Sequence, residues 1–311
     1  MNIVYKTDEN DIATVYIAKN SQGKFFEFVE STQPPLSEKE KWVLIISTLF
    51  GCPVDCKMCD AGGTYSGKLT YKELKFQIDY LVNNKFNNRQ IDTDKFKIQF
   101  SRMGEPSFNK NVLQLLKDIP ELYNYRLFIP SLSTVAPCGT DLFFEELLRI
   151  KKILYRDNFQ LQFSLHTTDE NQRDKIIPIK KWSFEKIAEY SERFFDKDGK
   201  KITLNFALSI NAIFEPQKLL EYFNPEIFLV KITPVNPTYK AEKNNIQSYI
   251  SEENHHLDLI QSVQETGYQT ILSIGEWEEN LIGSNCGQYV KALQKDCRIA
   301  GAYEYDLIDQ I

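Results

Sequence analysis

The chain has 311 residues, of which 42% are hydrophobic and 26% charged, and it carries a net charge of −6 with a pI of about 5.4. These are ordinary values for a soluble globular protein, and no stretch approaches the ~20 apolar residues of a membrane helix. The acidic balance argues against a large nucleic-acid partner, which usually meets a basic face, and the absence of an apolar leader at the start points to the reducing cytoplasm.

The opening stretch, up to Thr32, reads as β structure. Segments 12–17 and 25–30 are rich in β-branched and aromatic residues, and the Asn20-Ser-Gln-Gly23 turn between them predicts a hairpin. Gln33-Pro-Pro-Leu-Ser37 breaks the pattern, so residues 1–40 form an N-terminal β extension and linker. From Trp42 onward apolar strands alternate with amphipathic helices. Strands are expected at 42–48, 96–101, 126–133, 160–166, 202–210, 227–233 and 268–274. Helices are expected at 70–83, 111–118, 141–153, 183–195, 216–223 and 252–265. Such alternation implies βαβ units and a parallel sheet. The expected fold is therefore α/β, a partial (β/α)6 TIM-like barrel of about six parallel strands over 41–295, with a C-terminal tail over 296–311.

The unusual motifs follow the predicted strands. The first is followed by Gly51-Cys-Pro-Val-Asp-Cys-Lys-Met-Cys-Asp60, with three cysteines in eight residues. A cubane iron–sulfur cluster usually takes four cysteines, so Cys52, Cys56 and Cys59 would leave one iron open to a ligand. A structural zinc site is the alternative. Zinc wants four protein ligands, and beyond the triad only Asp60 is close in sequence, His166 being far along the chain. A disulfide is disfavoured in a reducing compartment. Met103-Gly-Glu-Pro106 follows the second strand, Ser131-Leu-Ser-Thr134 ends the third, Ser164-Leu-His166 ends the fourth and Pro234-Val-Asn-Pro237 follows the sixth. Parallel α/β folds place ligand chemistry at the carboxyl ends of their strands.

Cys-x3-Cys-x2-Cys after a first barrel strand and Gly-Glu-Pro after the second resemble the radical S-adenosylmethionine enzymes. Leu132-Ser-Thr134, Phe163-Ser-Leu-His-Thr167, Asn171-Gln-Arg-Asp-Lys-Ile-Ile-Pro-Ile179, Ile232-Thr-Pro-Val-Asn-Pro237 and Asn285-Cys-Gly-Gln288 narrow the resemblance to the RlmN/Cfr-type ribosomal-RNA adenine methyl synthases. The matches keep their order from about Trp42 to Leu293.

The resemblance implies a radical-SAM-type barrel, a [4Fe–4S] cluster on Cys52, Cys56 and Cys59, and S-adenosylmethionine on the open iron. It implies that Gly104 and Glu105 hold the methionine amino group, that Ser133 contacts the methionine or ribose, that Ser164, Leu165 and His166 line the adenosine, and that Asn236 binds the adenine. Cys286 would receive a methyl group and carry it, as a methylene, to an electron-poor aromatic carbon. An electron donor such as flavodoxin or ferredoxin is implied too.

Two departures stand out. The family's second catalytic cysteine, seven residues before the cluster's first, is here Ile45. Cys138 is the first candidate to replace it and Cys297 the second. The family's glutamate ahead of the barrel matches Glu27 or Glu30. The helical N-terminal domain of rRNA-recognising members is replaced by about forty β-like residues. That leaves the substrate open among RNA or a smaller nucleic acid, a nucleotide, a peptide and another heterocycle, and leaves the oligomeric state open. Non-methylating radical chemistry, with Cys286 as a substrate contact, and a non-enzymatic metal-binding module are the alternative readings.

Overall fold

The computed structural model describes residues 1–8, 11–251, 256–275, 278–284, 288–293, 302 and 304–310. Its strands, in chain order, are β1 (Asn2–Thr7), β2 (Ala13–Lys19), β3 (Phe25–Ser31), β4 (Lys41–Ile46), β5 (Leu49–Phe50), β6 (Gly67–Lys68), β7 (Lys95–Phe100), β8 (Phe128–Thr134), β9 (Gln160–Ser164), β10 (Ile202–Leu208), β11 (Phe228–Pro234), β12 (Gln269–Leu272) and β13 (Leu307–Asp309). Eleven of them form one sheet, ordered β12-β11-β10-β9-β8-β7-β4-β3-β2-β1-β13, while β5 and β6 pair with each other.

From β4 through β12 every neighbouring pair is parallel. All seven runs read as barrel strands are present, so the parallel section has seven strands rather than about six. The seventh, β12, is four residues long and lies at the sheet's edge. On the other side β3 pairs antiparallel with β4, and β2 and β1 continue the sheet. The N-terminal hairpin thus shares the barrel's hydrogen-bonded sheet. Strand β13, within the segment assigned as a tail, pairs antiparallel with β1.

Successive side chains of a strand point to opposite faces, and the two faces here differ in kind. In β7, Phe96, Ile98 and Phe100 are fully buried while Lys97 and Gln99 are only partly covered. In β9 the same split separates Leu161 and Phe163 from Gln160, Gln162 and Ser164. The apolar face packs under the crossover helices, as when Leu74, Ile78 and Leu81 of the helix Tyr71–Lys85 join Trp42, Leu44 and Phe96 in one core. That helix starts on a capping box, Thr70 with Glu73, of the kind that contributes about 1 kcal/mol. The polar face turns inward. Among the described residues no helix is long and apolar enough to cross a membrane.

Candidate active site

Inward-facing residues from β4 and β7 through β11 line one cavity of about 340 Å³, together with the loops that follow the strands. That several strands reach a common cavity is what makes the sheet a curled, partial barrel. The cavity opens where parallel folds carry their chemistry.

Cys52, Cys56 and Cys59 lie on its wall. Their loop is shaped by backbone bonds, Cys52 N–H to Ala61 O at 2.6 Å and Cys59 N–H to Cys56 O at 3.2 Å. Gly51 opens it at φ +73, and a Cβ there would stand 2.5 Å from the Thr64 carbonyl oxygen, so only glycine fits. Outside contacts then clamp the loop. The Asp60 carboxylate accepts from the backbone N–H groups of Tyr239 and Lys240, each at 3.0 Å, and Thr238 Oγ1 donates to Met58 O at 2.9 Å. The Lys57 N–H reaches Ile176 O at 2.9 Å, and Lys240 is paired with Asp55. Asp60 therefore caps a helix start, an engagement that competes with its serving as a zinc ligand. Among the described residues no group of three or more His, Cys, Asp or Glu side chains is poised to hold a single metal ion. Burial pushes the Cys52 thiol up to about 11, and burial together with the charges of Cys59 and Cys52 raises Cys56 well above the usual thiol range. A bound cationic centre would relieve both.

Gly104 and Glu105 border the same cavity. Gly104 sits at φ +97, and a Cβ would come within 2.4 Å of Leu49 Cβ. Glu105 is 4% exposed, and its oxygens accept from Thr134 Oγ1 (2.6 Å), Ser107 Oγ (2.7 Å), Val135 N–H (2.9 Å) and Ser107 N–H (3.1 Å). All four donors are neutral, and burial raises the carboxyl above its usual range. A buried carboxylate held by neutral donors is a ready seat for a cationic ligand group.

Ser133, Ser164, His166 and Asn236 complete the set that the sequence singled out and the cavity gathers. His166 has φ +66, and its Nδ1 accepts from Ala207 N–H at 3.0 Å. Burial, with the Arg173 charge adding to it, lowers its pKa to about 4, so the ring is neutral at pH 7 with its proton on Nε2. Leu165 does not line the cavity; it is fully buried in the apolar core. Cys138 is exposed and lies outside the cavity lining. Ile45 does line it. Cys286 and Cys297 lie outside the described residues.

Glu27 sits behind the wall, fully buried, with Oε1 2.7 Å from Nη2 of Arg102. Its other oxygen accepts from Val290 N–H at 2.9 Å. Burial raises the Glu27 carboxyl, against the pull of Arg102 and Val290. Arg102 lines the cavity and donates through Nη1 to Ser284 O at 2.8 Å and through Nη2 to Gly283 O at 2.7 Å, while its own carbonyl accepts from Gln288 Nε2 at 3.2 Å. The pair therefore grips residues on both sides of 285–287. Arg102 was missed from sequence; its signal is a lone arginine between a predicted strand and Gly-Glu-Pro.

No family model matches the chain. Among curated proteins it is 28% identical over 254 residues to the probable dual-specificity RNA methyltransferase RlmN of Corynebacterium efficiens, covering 76% of this chain and 63% of that protein. The dual-specificity RNA methyltransferase RlmN of Buchnera aphidicola is 26% identical over 319 aligned residues, covering 93% of this chain and 83% of that protein. The chain is RlmN-like. It spans less than two thirds of the length of some of these relatives, 63% for the Corynebacterium protein and 64% for the Thermosipho melanesiensis one. A radical SAM methyltransferase from Sphaerobacter thermophilus matches with a TM-score of 0.71 over 92% of this chain and 80% of that one. At 17% identity that likeness shows a shared fold.

Proposed function

We propose that this RlmN-like chain is a radical S-adenosylmethionine enzyme that moves a cofactor-derived methyl or methylene group, through Cys286, to an unactivated sp2 carbon of a nucleotide, an RNA or another heterocycle. The observation that carries this reading is convergence: all three motif cysteines and six of the other matched positions, drawn from distant parts of the chain, border one cavity. Cys52, Cys56 and Cys59 would hold a [4Fe–4S] cluster. Glu105 would seat the methionine ammonium beside Gly104, Ser133 would contact the methionine or ribose, and Ser164, His166 and Asn236 would line the adenosine. When bound, the cluster and cofactor would supply an adenosyl radical by one-electron cleavage of the sulfonium.

The chain's own residues supply the rest. His166, neutral and held through Nδ1, presents one N–H donor. Arg102 and Glu27 act as positioning residues for the segments flanking Cys286. A thiolate is an able nucleophile toward a sulfonium methyl. Named relatives are RNA methyltransferases, which favours RNA or a nucleotide over a peptide as substrate. Ile45 in the cavity wall favours a second reading, in which the chemistry departs from the family after group transfer or is non-methylating.

Anaerobically reconstituted protein, incubated with S-adenosylmethionine and analysed by peptide mass spectrometry, should carry a methyl on Cys286. Cys286→Ala should abolish product yet keep reductive cleavage of the cofactor. An unmodified Cys286, or full product from the variant, removes the carrier role.

A further inference from the structure

The other end of the barrel carries a cluster of lysines. Lys41 on β4 is in register with Lys95 on β7, and Lys97 follows two residues on, opposite Val43. These lysines share the inward face with Ile45 and Gln99 of the cavity wall, because Trp42, Leu44, Phe96 and Ile98 pack outward under the helices. They lie toward the amino ends of the strands, away from the cysteine loop. Lys200, just ahead of β10, joins them, and Lys231 of the cavity lining completes the group. The charges that bear on Lys97 are those of Lys41, Lys231 and Lys200, and those that bear on Lys41 are Lys95, Lys200 and Lys231; all are positive. Among the described residues the Lys97 ammonium has neither a hydrogen-bond partner nor a counter-charge, and the side chain is only partly covered, so solvent reaches it. Lys41 donates to Gln33, a neutral acceptor. The carboxylates next to Lys41 and Lys95 in the chain are engaged elsewhere, Glu40 accepting from Ser37 and Asp94 pairing with Arg126.

Such a cluster is not the background of a chain whose net charge is −6. A recess lined by one sign of charge, with walls of low dielectric, concentrates counter-ions. Burial, and after it the neighbouring ammonium groups, hold the Lys97 pKa down to about 7; an anion among them would oppose the second effect. Ammonium groups are compact point charges that hold phosphate oxygens without the planar fork that matches a carboxylate, and no arginine is among the groups acting on Lys97 or Lys41. We propose that Lys41, Lys97 and Lys200 form a binding site for a small, multiply charged anion of the phosphate class, at the opposite end of the barrel from the cysteine loop. The site stands whichever reaction the cavity performs.

The test titrates the reconstituted full chain with inorganic pyrophosphate and with uridine 5′-diphosphate, by calorimetry and thermal melts, at constant ionic strength set with sodium chloride. Wild type should bind at least one of them saturably, with a rise in Tm that follows occupancy. Lys97→Met should weaken that binding at least about tenfold, the loss of one charge-assisted contact, and Lys41→Gln should weaken it likewise. Lys72→Met, exposed on the helix Tyr71–Lys85, should bind as wild type does. Tighter pyrophosphate would assign the site to a free anion, and tighter uridine 5′-diphosphate to the phosphates of a nucleotide. Wild type with no saturable response to either would overturn the inference. So would binding that survives both Lys97→Met and Lys41→Gln unchanged, which would place the anion elsewhere, on cluster iron for instance. A loss in Lys72→Met as large as theirs would overturn it too, by reducing the effect to overall charge.

Discussion

Replacing Glu27 by Gln tests whether the buried pair with Arg102 organises the segments around Cys286. The substitution keeps shape and an acceptor for Val290 N–H, but leaves a guanidinium whose side chain is 1% exposed without its counter-charge. Breaking a buried ion pair from one side costs about 3–5 kcal/mol. At about 2–4 °C per kcal/mol, somewhat less for a chain of this length, Tm should fall by about 10 °C. The local readout is amide hydrogen exchange, where Val290 and its neighbours should lose protection ahead of the barrel strands. The double variant Glu27→Leu/Arg102→Met sharpens the argument. Two apolar residues can replace a buried pair at little cost or with a gain, so global stability should return. The carbonyls of Gly283 and Ser284 would still have lost their guanidinium donor, so local exchange should stay fast. A Glu27→Gln variant that loses less than about 1 kcal/mol and keeps Val290 protected refutes the clamp.

Two further outcomes follow from the geometry. Gly104→Ala puts a methyl 2.4 Å from Leu49 Cβ at φ +97, and strain plus overpacking should cost about 2–5 kcal/mol in a denaturant melt; an unchanged midpoint would show that the loop yields freely. Lys97 has its pKa lowered to about 7, first by burial and then by the charges of Lys41, Lys231 and Lys200. A lysine depressed on folding destabilises the native state progressively as pH falls from its unfolded value near 10.4 toward 7. Lys97→Met should therefore raise Tm at pH 7, with a gain that shrinks toward pH 10; a loss of stability at pH 7 would contradict this.

The sequence made the barrel readable wherever apolar residues alternate, as in β7 and β9, because the inward face is polar and the outward face dry. It misled where short-range rules compete with tertiary contacts. The helix expected at 111–118 runs Asn111–Leu122, past Pro120. The proline falls in the last turn, and the Leu116 carbonyl it cannot serve accepts from the Tyr155 hydroxyl instead. The helix Glu170–Ile176 was not foreseen because its sequence, Glu-Asn-Gln-Arg-Asp-Lys-Ile, has almost no apolar stripe; the Asp169 cap accepting from Gln172 N–H at 2.7 Å was its only local signal. At the site, motif residues were legible because each closes a strand. Arg102 was not, since it acts through partners far along the chain, Glu27 on one side and Gly283 and Ser284 on the other.

Barrel interiors are ordinarily filled by branched apolar side chains in layers. Here Lys97, Gln99, Gln162, Asn205 and Lys231 occupy that space, and the dry packing lies on the outer face, under the helices. Tenacity and selectivity are thereby housed in different layers of the same strands. An inward position can exchange one polar residue for another with little penalty to the scaffold, so a lineage carrying this architecture is free to retune what it accepts while the shell that holds it together stays as it was.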